Sequence, residues 1–352
     1  MEFKIQNKMV GDGHPVFFIA EAGVNHNGSI EIGKKLIDKA VDSHADAVKF
    51  QTFKTESIIT PGAPKSTYHV ETTGGDNEQS WFDLLKTQEM SADMHAELIE
   101  YCNKKEIIFL STPYDEESVD LLVELNVPAF KIASTDTSNI PLLSYIAQKG
   151  RPMIISTAMA TMDEVTKAVK TIKKHGVKDF AVMQCTGNYP SRLKDSHLRV
   201  LQTYREKLKC IIGYSDHTEE LINPVAATAM GSKIYEKHFT LDKTLPGPDH
   251  RMSLEPDELK KTIKAIRDVE KALGSANKQV LVVEKENREK LRKSIVANKD
   301  IKQGTIILKE MIAIKRPGNG IPPEQIKSVV GQEAKVDIRA GTVINLEMVN
   351  GD

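Results

Sequence analysis

Short apolar runs recur along the chain, and each ends in small or polar residues. They are FFIAEAG (17–23), AVKFQTF (47–53), IIFLSTP (107–113), AFKIAST (129–135), MIISTA (153–158), FAVMQCT (180–186), CIIGYSD (210–216) and KIYEKHF (233–239). Runs of this length, bounded by turn residues, predict buried strands. Segments of helical period lie between most of them. In 29–44, Ile30, Ile32, Leu36, Ile37 and Ala40 share one helix face. MDEVTKAVKTIKKHG (162–176) ends in Lys and His before Gly176, residues that satisfy the free carbonyls of a helix C-terminus. SVDLLVELNVP and DELKKTIKAIRDVEKALG repeat the pattern. Strand alternating with helix predicts a parallel sheet. Eight near-continuous apolar strands fit a closed (β/α)8 TIM barrel. An open doubly wound sheet fits less well, because no Gly-rich dinucleotide turn is present.

Two stretches break the rhythm. Residues 54–91 carry Gly, Pro, Thr and Asn with weak periodicity, which predicts a long functional loop on the catalytic face after the second barrel strand. Past residue 275 the pattern changes. A charged segment, 276–291, is expected to link the barrel (1–275) to a compact β-rich module (292–352), whose β-branched runs are broken by Gly and Pro.

Composition narrows the function classes. The chain has 352 residues, 40% hydrophobic and 28% charged, with a net charge of -1, so it offers no broad positive field for nucleic acid or an anionic membrane. An anionic ligand must be held by a local cluster of donors. Cys102, Cys185 and Cys210 show no metal or redox spacing and are expected to be buried, reduced thiols. No signal-peptide pattern or membrane-length apolar run is present, so a cytoplasmic protein is expected.

In a TIM barrel the chemistry lies at the C-terminal ends of the strands. Those positions hold Glu21, Asn25, His26, Lys49, Gln51, Thr52, Ser111 and Thr112 in the first half. The second half adds Lys131, Ser134, Ser156, Thr157, Thr186, Asn188, Tyr189, Ser215, His217, Glu236, His238 and Asp249. Lys49 and Lys131 sit inside apolar runs, where a lysine is costly unless its charge is matched. Each alone reads equally as a snorkelling or locally paired lysine. Converging with several hydroxyls, the two suit a cradle for phosphate and carboxylate, with imine formation as a competing use. A single His in an apolar run is usually a satisfied core residue. His217 and His238, however, end successive strands of the barrel and can share one ion, with Glu236 and Asp249 as available carboxylates. KRPGNGI (315–321) is either a plain surface turn or a rigid loop displaying Arg316 to a ligand.

The ordered motifs IAEAGVNHNGS, AVKFQTF, FLSTPYDEESVDLL, FKIAS, IISTAM, CTGNYP, GYSDHT, EKHFTLDKTLPGPDH and KRPGNGI closely resemble the N-acetylneuraminate (sialic acid) synthase family. That family also makes legionaminic and related nonulosonic acids. The resemblance runs from about residue 15 to 350. It implies condensation of phosphoenolpyruvate with an N-acylated amino sugar such as N-acetylmannosamine, with phosphate released by C–O cleavage. It also implies a barrel followed by an antifreeze-like (SAF, β-clip) domain, in a domain-swapped homodimer whose small domain caps the partner's barrel.

Carried over by motif, His217 and His238 would hold Mn2+ or Mg2+, and Glu21 would do acid/base work. Lys49, Thr112, Lys131, Ser134, Ser156 and Ser215 would hold phosphoenolpyruvate. Gln51, Tyr189 and Asp249 would face the sugar or metal-bound water, with Glu236 a further polar residue of the site. Arg316 would reach the sugar's acylamino group across the dimer. Three departures bear on sugar identity: Ser134-Thr135-Asp136 in place of Ser-Gly-Glu, SRLKDSH with Arg192 and Lys194 after NYP, and Ala158 where glycine is frequent. A legionaminic-type or spore-coat sugar is therefore an alternative substrate. Two other readings compete, a Schiff-base aldolase using Lys49 or Lys131 and a glycan-binding protein without turnover.

Overall fold

The computed structural model describes residues 1–75 and 78–349, so the expected end of the small module at residue 352 lies outside the described residues. The chain divides into two compact units, Met1–Gly274 and a second beginning at Ser275. The first opens with an antiparallel hairpin, β1 (Glu2–Ile5) and β2 (Lys8–Gly11), an element the sequence reading did not assign.

Eight parallel strands follow: β3 (Phe17–Gly23), β4 (Ala47–Thr52), β5 (Ile108–Pro113), β6 (Phe130–Ile132), β7 (Met153–Ser156), β8 (Phe180–Cys185), β9 (Ile211–Asp216) and β10 (Ile234–His238). They form a closed barrel in chain order, β10 pairing with β3. Each expected strand is present, shortened by a residue or more in most cases where its polar end turns into a loop.

Side chains on a strand alternate between faces, and this alternation builds two separate cores. Phe17, Ile19, Ala47, Ile108, Leu110, Ile154, Ala181, Met183, Ile211 and Ile234 point inward and pack together at the strand starts. Phe3, Ile5 and Val10 of the hairpin join this cluster and fill that end of the barrel. The alternate residues, such as Phe18, Val48, Phe50 and Phe109, face the helices. Leu36, Ile37 and Ala40 of the helix Ile30–Asp42 pack there, as their spacing requires. With hydrophobic side chains filling one end, the opposite end is left for polar residues.

The 54–91 interval is not a structureless loop. It holds three short helices, Thr55–Ile58, Thr67–Thr73 and Trp81–Lys86, the last two capped by the Ser66 and Ser80 hydroxyls. Two turns or fewer are too short to leave a helical period in the sequence, and the serine caps carry the signal instead.

The second unit has its own core, built from Ile295, Ala297, Ile301, Ile307, Val329, Ile338 and Ile344. The stretch expected as a linker contains a helix, Lys285–Leu291, and falls within this unit. Among the described residues of this unit, regular strand is limited to β11 (Ser294–Ala297) and β12 (Ile312–Lys315), and single bridges such as Ile301–Ile338 tie the remaining turns together. The glycines of KRPGNGI serve close packing. Gly320 donates its N–H to Ser294 Oγ at 2.9 Å, and a Cβ there would lie 2.2 Å from Val343 Cγ1. Arg316, beside it, is exposed.

Candidate active site

The inward-facing positions that follow the apolar cluster are the candidate residues. Ile19 is succeeded on its face by Glu21, Ala47 by Lys49 and Gln51, Leu110 by Thr112, and Ile154 by Ser156. On β9 and β10 the same alternation gives Ser215 and His217, then Glu236 and His238. With Lys131, Ser134, Tyr189 and Asp249 they line one cavity of about 620 Å3. A register shift between Glu21 and Gly23 marks a bulge where β3 enters it.

The cavity floor is a buried network of alternating charge. Lys49 Nζ lies 2.9 Å from Glu21 Oε2, 3.9 Å from Glu236 Oε2 and 2.9 Å from Thr112 Oγ1. Lys131 Nζ lies 3.2 Å from Glu236 Oε1, which also accepts from Ser215 Oγ at 3.1 Å. Both lysines thus satisfy the local-pairing reading and still point into the cavity. Ser156 Oγ and His238 Nδ1 are buried there without hydrogen-bond partners among the described residues, a costly condition that a polar ligand would relieve.

Burial raises the Glu21 carboxyl to about 7, with Lys49 opposing and Glu236 adding to the rise. A group balanced near neutrality suits proton transfer in both directions. Burial likewise lifts Asp249 to about 6, against the pull of His217 and Lys49. Burial works against the Glu236 charge, but Lys131 and Lys49 overcome it and hold that carboxyl below its ordinary value. Burial lowers Lys131, partly offset by Glu236.

The two imidazole rings are 5.6 Å apart, centre to centre. His217 Nδ1 lies 2.7 Å from the Thr186 carbonyl, which only accepts, so the ring donates there. Burial works against the charge of this ring, but Cys185 and the Thr186 carbonyl hold it above its ordinary value. Its Nε2 offers a lone pair once the ring is neutral. Burial and the nearby cations keep His238 neutral, holding it well below its ordinary value, and its Nδ1 is 3.8 Å from Asp249 Oδ2. Neutral imidazoles are what a metal ligand requires. Among the described residues, no group of three or more His, Cys, Asp or Glu is arranged to hold an ion. Glu236 in particular is turned to the lysines instead of the histidines. The donor set fits a divalent cation bound by two nitrogens whose other positions are filled by water or substrate.

Several candidates lie elsewhere. Thr52 and Ser111 face outward, joined at 2.6 Å, and Thr52 also meets His95 Nε2 at 2.8 Å. Thr157 turns to the Met183 carbonyl, and Thr186 Oγ1 to Asp195. His26 is buried with its Nδ1 accepting from Gly28 N–H. Asn25 acts at one remove, donating to Ser253, which in turn donates to the Asp249 carbonyl at 2.6 Å. Of the departures from the family pattern, Thr135 and Ala158 line the cavity, whereas Arg192 pairs with Asp195 and Asp136 accepts from Asn139.

The 54–91 interval reaches the cavity as expected, but its lining residues were not among the candidates. Tyr68, His69 and Trp81 of the 54–91 interval line the cavity, as do Tyr114 and Met159. His69 and Trp81 stack at 4.3 Å, and Tyr189 lies 4.2 Å from the His217 ring. Cys185, expected only as a buried thiol, also lines the cavity, 3.8 Å from His217 Nδ1. Alternation along β8, from Ala181 through Met183 to Cys185, was the available signal.

A family model described as the NeuB family matches residues 36–278, and a SAF domain model matches residues 292–350. The chain is 40% identical to N,N'-diacetyllegionaminic acid synthase of Legionella pneumophila, over 96% of each chain. It is 39% identical to N-acetylneuraminate-9-phosphate synthase of Homo sapiens, over 97% of this chain and 95% of that one. The crystal structure of N-acetylneuraminic acid (sialic acid) synthetase from Leptospira borgpetersenii, in complex with citrate, is similar with a TM-score of 0.72 and 35% identity. That likeness covers 82% of this chain and 95% of the other. Agreement of the family model along the barrel, and of these relatives along nearly the whole chain, makes this protein a member of the NeuB family of nonulosonic acid synthases, its barrel followed by a SAF domain.

Proposed function

We propose that the barrel condenses phosphoenolpyruvate with the open-chain aldehyde of an N-acylated amino sugar and releases phosphate. The observation that carries this reading is the floor network. Two buried lysines with Thr112, Ser156 and Ser215 offer donors for a phosphate and a carboxylate at one place. When phosphoenolpyruvate enters, Lys49 and Lys131 exchange part of their contact with Glu21 and Glu236 for the ligand's charges. A proton on Glu21 removes one of the two negative charges that would oppose it.

C3 of phosphoenolpyruvate forms the new C–C bond to the aldehyde carbon, and the aldehyde oxygen takes up a proton to become a hydroxyl. Water then adds to C2 and gives up a proton, and the C2–O bond to phosphate breaks as the ketone forms. Of the two protons water supplies, one ends on the new hydroxyl and one on phosphate. Glu21, at about 7, is poised to carry them. A Mn2+ or Mg2+ ion held by His217 and His238 would polarise the aldehyde oxygen. Lys49 and Lys131 offset negative charge at the phosphate end as the bond breaks. Tyr189, Gln51 and Asp249 are the acceptor-side residues, and Arg316 of a second copy is proposed to complete that side in a homodimer.

Phosphate release from phosphoenolpyruvate, assayed with Mn2+ across a panel of N-acetylated hexosamines and diacetamido sugars, tests the proposal. Sugar-dependent release that EDTA abolishes is expected. The lowered Lys131 favours the imine alternative, which predicts trapping by borohydride with pyruvate and resistance to EDTA. Sugar binding with no release would mark a glycan-binding protein.

A further inference from the structure

The residue immediately before each candidate metal-binding histidine points away from the cavity, and these two residues meet behind it. Asp216 precedes His217, Lys237 precedes His238, and the pair are register partners across β9 and β10. Lys237 Nζ lies 2.9 Å from Asp216 Oδ2, with the side chains 3% and 1% exposed. Lys237 also donates to the Thr218 carbonyl, and Tyr235 donates to Asp216 Oδ2 at 2.6 Å. The other carboxylate oxygen accepts from Thr218 N at 3.0 Å, Thr218 Oγ1 at 2.8 Å and Asn223 Nδ2 at 3.3 Å. The carboxylate, itself on β9, therefore gathers donors from β10, from the turn carrying His217 and from the helix Ile222–Ala229.

A buried ion pair is a poor source of stability, because desolvating two charges costs about as much as their attraction returns. An apolar pair would pack between sheet and helix at lower cost. What the charged pair supplies is direction: its bonds fix the backbone on both sides of His217 and hold it to the strand carrying His238. His217 is held at two further points, its carbonyl accepting from Ser191 N–H at 2.8 Å and its ring donating to Thr186.

We propose that the Asp216–Lys237 pair is the positioning device that fixes His217 relative to His238, and that its loss loosens cation binding without emptying the fold. This rests on the assignment of the two histidines to a divalent ion, and the test separates the two claims. Asp216→Asn, Lys237→Met and the double variant D216N/K237M are compared with wild type in the full-length chain. The double variant leaves no lone buried charge, so it keeps the test alive if the single variants fail to fold. Folding is followed by circular dichroism, Mn2+ binding by the EPR signal of the free ion, and the His217 Nδ1–H by NMR of 15N-histidine-labelled, metal-free protein. The expected result is a folded double variant with Mn2+ bound at least ten-fold more weakly and a broadened or exchanged Nδ1–H resonance. A folded double variant with wild-type Mn2+ affinity, or an unchanged Nδ1–H resonance, overturns the proposal. If wild type binds no Mn2+ while the resonance responds to the substitutions, positioning stands and the metal assignment falls.

Discussion

Replacing Glu21 by Gln should make the protein more stable at alkaline pH while removing its proton-transfer group. The carboxyl is ordinarily at 4.5, and burial lifts it to about 7 in the fold. Between these values the folded state holds a proton that the unfolded chain releases. Stability contributed by Glu21 is therefore fully present below 4.5 and lost as pH rises through 7. The gap corresponds to roughly 3 kcal/mol, at about 1.4 kcal/mol per tenfold change in proton affinity. Gln is neutral and nearly isosteric with the protonated acid, so E21Q avoids that loss. In thermal unfolding with EDTA, the variant should match wild type near pH 4.5 and gain several degrees in midpoint by pH 8. Its rate of phosphate release should fall by about a hundred-fold, within the usual contribution of general acid–base catalysis. A pH-independent difference in midpoint, or an E21Q variant less stable than wild type at pH 8, would refute the burial argument. The second result would mean that the Glu21–Lys49 attraction exceeds the desolvation cost.

Three further outcomes follow from the geometry. Gly213→Ala would place a Cβ 2.9 Å from Met183 Cγ and 3.0 Å from the Ile234 carbonyl, so overpacking of about 2 kcal/mol should lower the unfolding midpoint. An unchanged midpoint would show that the barrel interior can yield there. Lys131→Met removes one buried cation from the floor and should raise KM for phosphoenolpyruvate about ten- to hundred-fold, the loss of a charge-assisted contact. A fall in kcat with KM unchanged would assign Lys131 to the chemical step instead. Arg316→Ala, at an exposed position, should leave stability within about 0.5 kcal/mol, raise KM for the sugar and leave Mn2+ affinity unchanged. Equal loss of sugar and metal binding would count against its assigned role.

Much of the site was legible because a barrel strand has a simple grammar. Once FFIAEAG is a strand with Phe17 and Ile19 inside, Glu21 must also face inside, and the same holds for Lys49, Ser215 and Glu236. The alternation also rejects Thr52 and Ser111, which a list of strand-end polar residues had retained. Loops follow no such rule. Tyr68, His69 and Trp81 reach the cavity through helices too short to show a period, and the β1–β2 hairpin left only a brief alternation. The partners of the lysines were equally hidden. Glu21 lies 28 residues before Lys49, and Glu236 lies on the last barrel strand in chain order, beside β3 only because the barrel closes, yet all three meet at its floor.

From the sequence alone came the eight strands, the change of character near residue 275 and nearly every polar group of the site, because backbone periodicity and side-chain chemistry are local properties. Tertiary structure alone decided which of those groups meet. Closure of β10 onto β3 brings Glu236 within reach of Lys49 and Lys131, and the Asp216–Lys237 contact lies on the hidden face of the same two strands that carry the histidines. Charge balance in a buried site depends on distances through space, which residue order does not encode until the sheet has closed.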